Sequence, residues 1–293
     1  MITYNPELIK IPAFLTKFID LDNLSVIQKI RLTIKGKIIA YCLKNLSEWA
    51  ICKVLNKILR FEGEITYNEN FYIKNFNNSK IYYPNIRFTR ILTHQKEFLN
   101  HLFDSYLLGN INFQDGDQII DCGSNVGELS FAFEQKGLKV NYLGIEPEPN
   151  TYQCLEKNTD GPNFNICLSD KKSTIPFYVD SIGANSSAIR PDTSDTIVNV
   201  NAKRLDQIMD NQHIKLLKID AEGAEPEVLR GCEGIKQNID YISVDCGAER
   251  GQDQETTFVE VVKIMNKYNF EIIDINQRRL ITLFKNKKWI IQI

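Results

Sequence analysis

Apolar positions follow two different rhythms along the chain, and the change between them predicts the architecture. From Pro6 to about Arg60 they recur at three and four, as in Ile27, Ile30 and Leu32 and again in Trp49, Ile51, Val54, Leu55, Ile58 and Leu59, which is the spacing of helices. Between Glu62 and Arg90 the pattern changes. Phe71 to Tyr83 reads as two aromatic strands joined by a turn at Asn77-Asn78-Ser79-Lys80. Thr93 to Leu108 returns to helical spacing, with Thr93 as its N-cap and His94, Phe98, His101 and Leu102 on one face.

Beyond that point short apolar runs and helical segments alternate. Strands are expected at Gln118 to Asp121, Val140 to Ile145, Phe164 to Leu168, Thr174 to Val179, Thr196 to Val200, Leu216 to Ile219 and Tyr241 to Val244. Helices are expected at Val126 to Lys136, Thr151 to Lys157, Leu205 to Met209, Glu225 to Leu229 and Thr257 to Tyr268. A terminal strand pair, Phe270 to Ile275 and Leu280 to Phe284, closes the chain and is open to joining by Trp289 to Ile293. This alternation implies an α/β fold with a doubly wound, mostly parallel sheet, whose ligands bind at the carboxyl ends of the strands. The polar stretch Asp180 to Ser194 is the candidate active-site loop.

Composition adds mainly exclusions. The 293 residues carry a formal charge of −2, which argues against a nucleic-acid partner. Seven scattered cysteines without a Cys-x-x-Cys pair suggest neither a disulfide framework nor a zinc site, and fit a reducing cytoplasm. No basic segment followed by an apolar run opens the sequence, so no secretory signal is expected, and no apolar run approaches membrane-spanning length. Charge is uneven, however. Between residues 6 and 60 ten Lys and Arg face four acids, so this basic segment either caps the main domain with its lysines solvated or meets an anionic membrane surface or a protein partner.

The chemistry concentrates after the first parallel strand. Asp121-Cys-Gly-Ser-Asn-Val-Gly127 ends a strand with a carboxylate, and its glycines allow backbone to approach a ligand closely, with Gly123, Ser124, Asn125 and Gly127 forming the turn. Four strand ends carry acids: Asp121, Glu146, Asp220 and Asp245. Glu146 follows Asp121 by 25 positions, close to the roughly 20-residue spacing at which an acid hydrogen-bonds ribose hydroxyls. Neither the Gly-x-Gly-x-x-Gly nor the P-loop phosphate fingerprint is present. Asp121 suits a cationic amino-acid ligand better than a pyrophosphate. S-adenosylmethionine offers that ammonium, a ribose and a sulfonium.

Asp121-Cys-Gly-Ser-Asn-Val-Gly-Glu-Leu-Ser130, Ile145-Glu-Pro-Glu-Pro149, Leu168-Ser-Asp170 and above all Leu217-Lys-Ile-Asp-Ala-Glu-Gly-Ala-Glu225 resemble the FkbM-type S-adenosylmethionine-dependent methyltransferases. The likeness runs from about Asp117 to Phe284; where the commoner pattern carries a glutamate near position 245, this chain has Asp245. The resemblance implies the Rossmann-like class I methyltransferase fold with an antiparallel C-terminal strand. The expected organisation is a helical extension over 1–60, a hairpin and helix over 61–110, and the methyltransferase domain over 111–293. It also implies O-methylation of a small-molecule or glycan hydroxyl. Ser169 and Asp170 would hold the adenine, and Asp220 would lie beside the sulfonium as well as near the acceptor.

Methyl transfer to oxygen needs alignment and a base near the acceptor. Asp220 and Asp245 stand there by position, and Glu222 crowds the same strand-to-helix turn, where two acids repel unless something compensates them. Glu225 can serve the helix N-terminus instead. His94 and His101 are weaker candidates for the base. A divalent cation on Asp220, Glu222 or Asp245 is the alternative means of lowering the acceptor pKa, although the spacing assigns no metal ligands. The small polar residues of Ser181 to Ser187 could contact a polyhydroxylated acceptor. N-methylation, or a non-catalytic binding module with a membrane- or partner-docking N-terminus, are the rival readings.

Overall fold

The structure is a computed structural model and describes residues 11–76, 79–179, 186–191, 196–209 and 212–289. Two compact units divide the chain, Met1–Phe98 and Leu99–Ile293. The helical extension and the aromatic strands fall in the first unit, and the boundary between the units lies inside the helix Gln95–Ser105.

In the first unit, α1 (Val26–Asn45) and α2 (Glu48–Ile58) are joined by two residues. Ser25 and Gln28 start α1 with a reciprocal capping box, each side chain accepting from the other's backbone N–H. Three antiparallel strands follow, β1 (Glu64–Asn68), β2 (Phe71–Phe76) and β3 (Ser79–Tyr83), rather than two. The sequence signal for β1 is weak because only Ile65 is fully buried along it, and α2 supplies what is missing. The Asn56 side chain donates to the Ile65 carbonyl at 2.8 Å and accepts from its N–H at 2.9 Å. Of the expected turn, Asn77 and Asn78 lie outside the described residues, while Ser79 and Lys80 open β3. The next helix, α3 (Gln95–Ser105), starts later than expected, and the Thr93 hydroxyl donates to the Phe14 carbonyl instead of capping it.

The second unit continues with β4 (Gln118–Cys122), α4 (Glu128–Gln135), β5 (Asn141–Ile145), α5 (Pro149–Asn158), β6 (Asn163–Phe164), β7 (Cys167–Leu168), β8 (Ser173–Val179) and β9 (Thr196–Lys203). After these come β10 (Ile214–Ile219), α6 (Glu225–Arg230), β11 (Ile239–Asp245), β12 (Ala248–Arg250), β13 (Glu255–Thr256), α7 (Phe258–Lys267), β14 (Phe270–Asn276) and β15 (Ile281–Asn286). Seven of them form one sheet in the order β14-β15-β11-β10-β4-β5-β6. Neighbours from β11 to β6 pair in parallel, and β15 runs against both β11 and β14. This is the expected doubly wound sheet with an antiparallel C-terminal strand. Strand order reverses between β4 and β10, so the crevice outside their carboxyl ends is where such a sheet binds ligands.

The core explains why these strands read as unbroken apolar runs. Ile120, Leu217, Ile219, Val244 and Phe284 are almost completely buried, as strands covered on both faces require. Two expectations fail here. The strand expected over Phe164 to Leu168 is split, because the Asn165 side-chain amide donates to the Glu146 and Pro147 carbonyls and turns the chain off the sheet edge. Its second half, β7, joins a separate sheet of order β7-β9-β8. The helix expected at Leu205 to Met209 is a single 3-10 turn, Leu205–Gln207. A further 3-10 turn, Lys287–Trp289, ends the described chain, and residues 290–293 of the expected last strand lie outside it.

Candidate active site

The turn after β4 is built by backbone geometry. Gly123 has φ +74°, and a side chain there would place its first carbon 1.9 Å from the Asp220 carbonyl oxygen, so only glycine lets the β4 and β10 turns touch. The Gly123 and Ser124 amides both donate to the Ile145 carbonyl. Asn125 adopts φ +52° and donates its N–H to Glu146 Oε2 at 2.9 Å, while the Glu148 N–H reaches Glu146 Oε1 at 3.0 Å. Burial pushes the Glu146 carboxyl up to about 7 against the pull of these two amides. The Ser124 hydroxyl is buried and has no hydrogen-bond partner among the described residues.

Asp121 lies beneath this turn, 1 % exposed. Its Oδ2 accepts from the Tyr142 hydroxyl at 2.6 Å, and its Oδ1 lies 2.9 Å from Lys218 Nζ. Lys218 also donates to the Gly123 carbonyl at 2.8 Å and to that of Cys122 at 3.2 Å. Burial disfavours this ammonium, but Asp121, with Tyr106 and Asp220, reverses that effect and holds it above the ordinary lysine range. Asp121 was expected to meet a cationic ligand; its charge is already balanced inside the protein. It stiffens the turn.

The turn after β10 has the opposite character. Asp220 Oδ2 accepts from the Tyr106 hydroxyl and lies 3.9 Å from Arg279 Nη2, while Oδ1 is buried and without a partner among the described residues. Glu222, at φ +49°, and Glu249, just beyond β11, each leave a buried Oε2 unpartnered among the described residues. Carboxylate oxygens of Asp220, Glu222 and Glu249 lie within 4.8 Å of one another. Burial, then the charges of Asp220 and Glu249, pushes Glu222 up to about 10; burial, then Asp220 and Asp245, pushes Glu249 up to about 8. Glu222 and Glu249 thus keep protons at neutral pH unless a cation replaces them, and the all-oxygen donor set of the three carboxyls suits a hard divalent ion.

Neighbouring groups hold this crowded turn in place. Glu225 Oε1 accepts from the Ala221 and Gly223 amides at 3.1 and 2.9 Å, and its Oε2 accepts from the Thr257 hydroxyl at 3.0 Å. Glu225 therefore braces the turn. Arg250 donates to the Gly223 carbonyl and forms a two-pronged ion pair with Glu227, both at 2.9 Å. The Ser187 hydroxyl donates to the Glu222 carbonyl at 2.7 Å. Residues 180–185 and 192–194 of the expected active-site loop lie outside the described residues.

Asp245 does not face the open crevice as a candidate base should. It is 1 % exposed, one oxygen is bound by Arg279, and the other accepts from the Gly247 N–H at 3.1 Å. A carboxylate so engaged positions the guanidinium rather than taking a proton from the acceptor. Ser169 and Asp170 follow β7, which pairs with β9 rather than with the main sheet. The Ser169 N–H donates to the Lys203 carbonyl, and the Asp170 carboxylate sits 3.6 Å from Arg230 of α6.

Tyr106, Tyr142, Lys218, Glu249 and Arg279 escaped the sequence reading as site residues. Lys218 stands inside the quoted strand-end motif and Glu249 soon after Asp245. Tyr106 and Arg279 carry no local signal, since only the fold brings them to Asp220, Tyr106 from 114 positions away.

Residues 121–272, from the acid of β4 into β14, match the Methyltransferase FkbM domain. The chain belongs to this family. It is an S-adenosylmethionine-dependent methyltransferase, and the FkbM match spans the glycine turn, Glu146 and the acidic turn alike. It is similar to hexuronic acid methyltransferase AglP of Haloferax volcanii, 27% identical over 172 residues that cover 56% of this chain and 68% of that one. It is also similar to Methyltransferase 1 of Beauveria bassiana, 25% identical over 189 residues, covering 54% and 74%. A solved methyltransferase from Aquifex aeolicus aligns at a TM-score of 0.34 and 12% identity, over 65% of this chain and 94% of that one. The FkbM cofactor suits this crevice, given the glycine turn, the unpartnered Ser124 hydroxyl and the second lone pairs left on both Glu146 oxygens.

Proposed function

We propose that this methyltransferase transfers the methyl group to a hydroxyl oxygen of a sugar, glycan or comparable natural product. The observation that carries the reading is the buried, unpartnered Oδ1 of Asp220 at the carboxyl end of β10, beside the glycine turn of β4. S-adenosylmethionine supplies a methyl group made electrophilic by its sulfonium. Glu146 would hold the ribose through its free lone pairs, and Gly123, Ser124, Asn125 and Gly127 would shape the amino-acid side of the pocket. Adenine would lie toward Ser169 and Asp170.

Asp220 would accept the acceptor's proton at Oδ1 as the new carbon–oxygen bond forms and the carbon–sulfur bond breaks, leaving its electron pair on sulfur. Tyr106 and Arg279 hold the other oxygen and fix the carboxylate in line. Glu222 and Glu249, held protonated beside Asp220, would offer hydrogen bonds to a polyhydroxylated acceptor. The printed name of the Haloferax relative makes hexuronic-acid glycans the first acceptors to try. Seven free, buried cysteines support a reducing, cytoplasmic setting.

The test is a panel of hexose glycans, hexuronic-acid glycans and amines incubated with the cofactor and read by mass spectrometry for a gain of one methyl group. Oxygen-methylated product, lost in Asp220→Asn, is expected. Product methylated on nitrogen would overturn the reading.

A further inference from the structure

We infer that the exposed face of α1 is a docking surface for an anionic membrane, on which the helix lies in the plane of the interface. Helical positions three, seven, eleven and fourteen apart share a face. Ile27, Ile30, Ile34, Ile38 and Tyr41 form such a stripe along α1, and they are 45% to 65% exposed. The opposite side of the same helix carries Gly36 and Ile39, with Cys42 on its flank, all buried. A surface helix ordinarily turns a polar face outward, whereas α1 is apolar on both sides. Packing among the described residues uses only one of them.

Charge identifies what covers the other. On a helical wheel, Arg31 and Lys35 border one edge of the exposed stripe and Lys37 and Lys44 border the other. No acidic residue occurs between Val26 and Asn45. An apolar stripe fringed by cations matches the boundary between acyl chains and anionic headgroups. A second copy of the chain fits less well, because a self-complementary contact would bring these cations together around a shared axis. Just beyond α1, Trp49 is 59% exposed, with Lys53 Nζ 3.6 Å from its ring centroid, an aromatic–cation pair of the kind that settles at headgroup level. No helix among the described residues is long and apolar enough to cross a membrane, so the contact is peripheral.

Flotation of the full chain tests this, using vesicles of phosphatidylcholine alone and of phosphatidylcholine mixed with phosphatidylserine. The protein should float with the mixed vesicles and only weakly with the neutral ones, and high salt should release it. Ile30→Glu with Ile34→Glu should abolish flotation. Lys37→Glu with Lys44→Glu should lower vesicle affinity about tenfold or more. All four positions are exposed, so cofactor binding and the circular dichroism spectrum should stay as in the parent chain. Failure to float with either vesicle, or equal binding to both, would overturn the inference. So would a concentration-dependent dimer that Ile34→Glu dissociates in a protein that does not float.

Discussion

The two turns that meet at the reversal of strand order are built from similar residues and do opposite things with charge. At the ends of β4 and β5 the acids are engaged: Asp121 is ion-paired with Lys218 and bonded to Tyr142, and Glu146 accepts from two amides. After β10, Asp220, Glu222 and Glu249 crowd together, and each keeps a buried oxygen without a partner. A binding turn gains from preorganisation, since nothing must rearrange when the ligand arrives. A reacting turn gains from unsatisfied acceptors, because a proton or cation then has somewhere to go. Lys218 joins the two: it neutralises Asp121 while standing two residues before Asp220.

The comparison can be broken most directly at Asp220. Asp220→Asn should lower kcat by about a hundredfold to ten-thousandfold, the usual range for losing a general base, and leave cofactor affinity nearly unchanged. Single-turnover rates and calorimetric titration measure the two quantities separately. If cofactor affinity falls instead, the acidic turn belongs to binding and the contrast is lost.

Lys218→Met should damage the other side through stability. Asp121 would remain buried without its cation, at a cost of about 3–5 kcal/mol in denaturant unfolding. Adding Asp121→Asn should recover much of that loss, since the uncompensated charge disappears. Tyr106→Phe should have a smaller effect, about tenfold in rate, because it removes one hydrogen bond to the carboxylate and spares the charge.

The gentlest probe is pH. Glu146 is raised from 4.5 to about 7, so the folded protein holds this proton more tightly than the unfolded chain. Its contribution to stability is therefore fully present below 4.5 and disappears as pH rises through about 7. Cofactor affinity should run the other way, because ribose hydroxyls donate to the ionised carboxylate. Calorimetry should show affinity rising by up to about tenfold per pH unit below neutrality and levelling above it, and Glu146→Gln should flatten the profile. A profile unchanged by the substitution would move the ribose elsewhere.

Much of this contrast was legible in the chain, though unevenly. Glu146 was found by its spacing from Asp121, and the acidic turn by two carboxylates within three residues, because a strand-to-helix turn is a local object. Asp245 and Asp121 were located correctly at strand ends but given the wrong neighbours. Asp121 lies opposite Lys218 across a parallel strand pair, and Arg279 reaches Asp245 from the β14–β15 connection. The split between β6 and β7 came from one side chain, Asn165, which bonds two carbonyls of another loop.

By itself the sequence determined the alternating strands and helices, the glycine turn, the FkbM motifs and the row of strand-end acids. These follow from side-chain period, backbone freedom and short spacing, which act over a few residues. Tertiary structure alone decided which acids are ion-paired and which keep an unpartnered oxygen, by placing Lys218 on Asp121 and Arg279 on Asp245 while Tyr106 bonds only one oxygen of Asp220. Charge pairing depends on distance in space, and the sheet brings together groups that the chain keeps far apart.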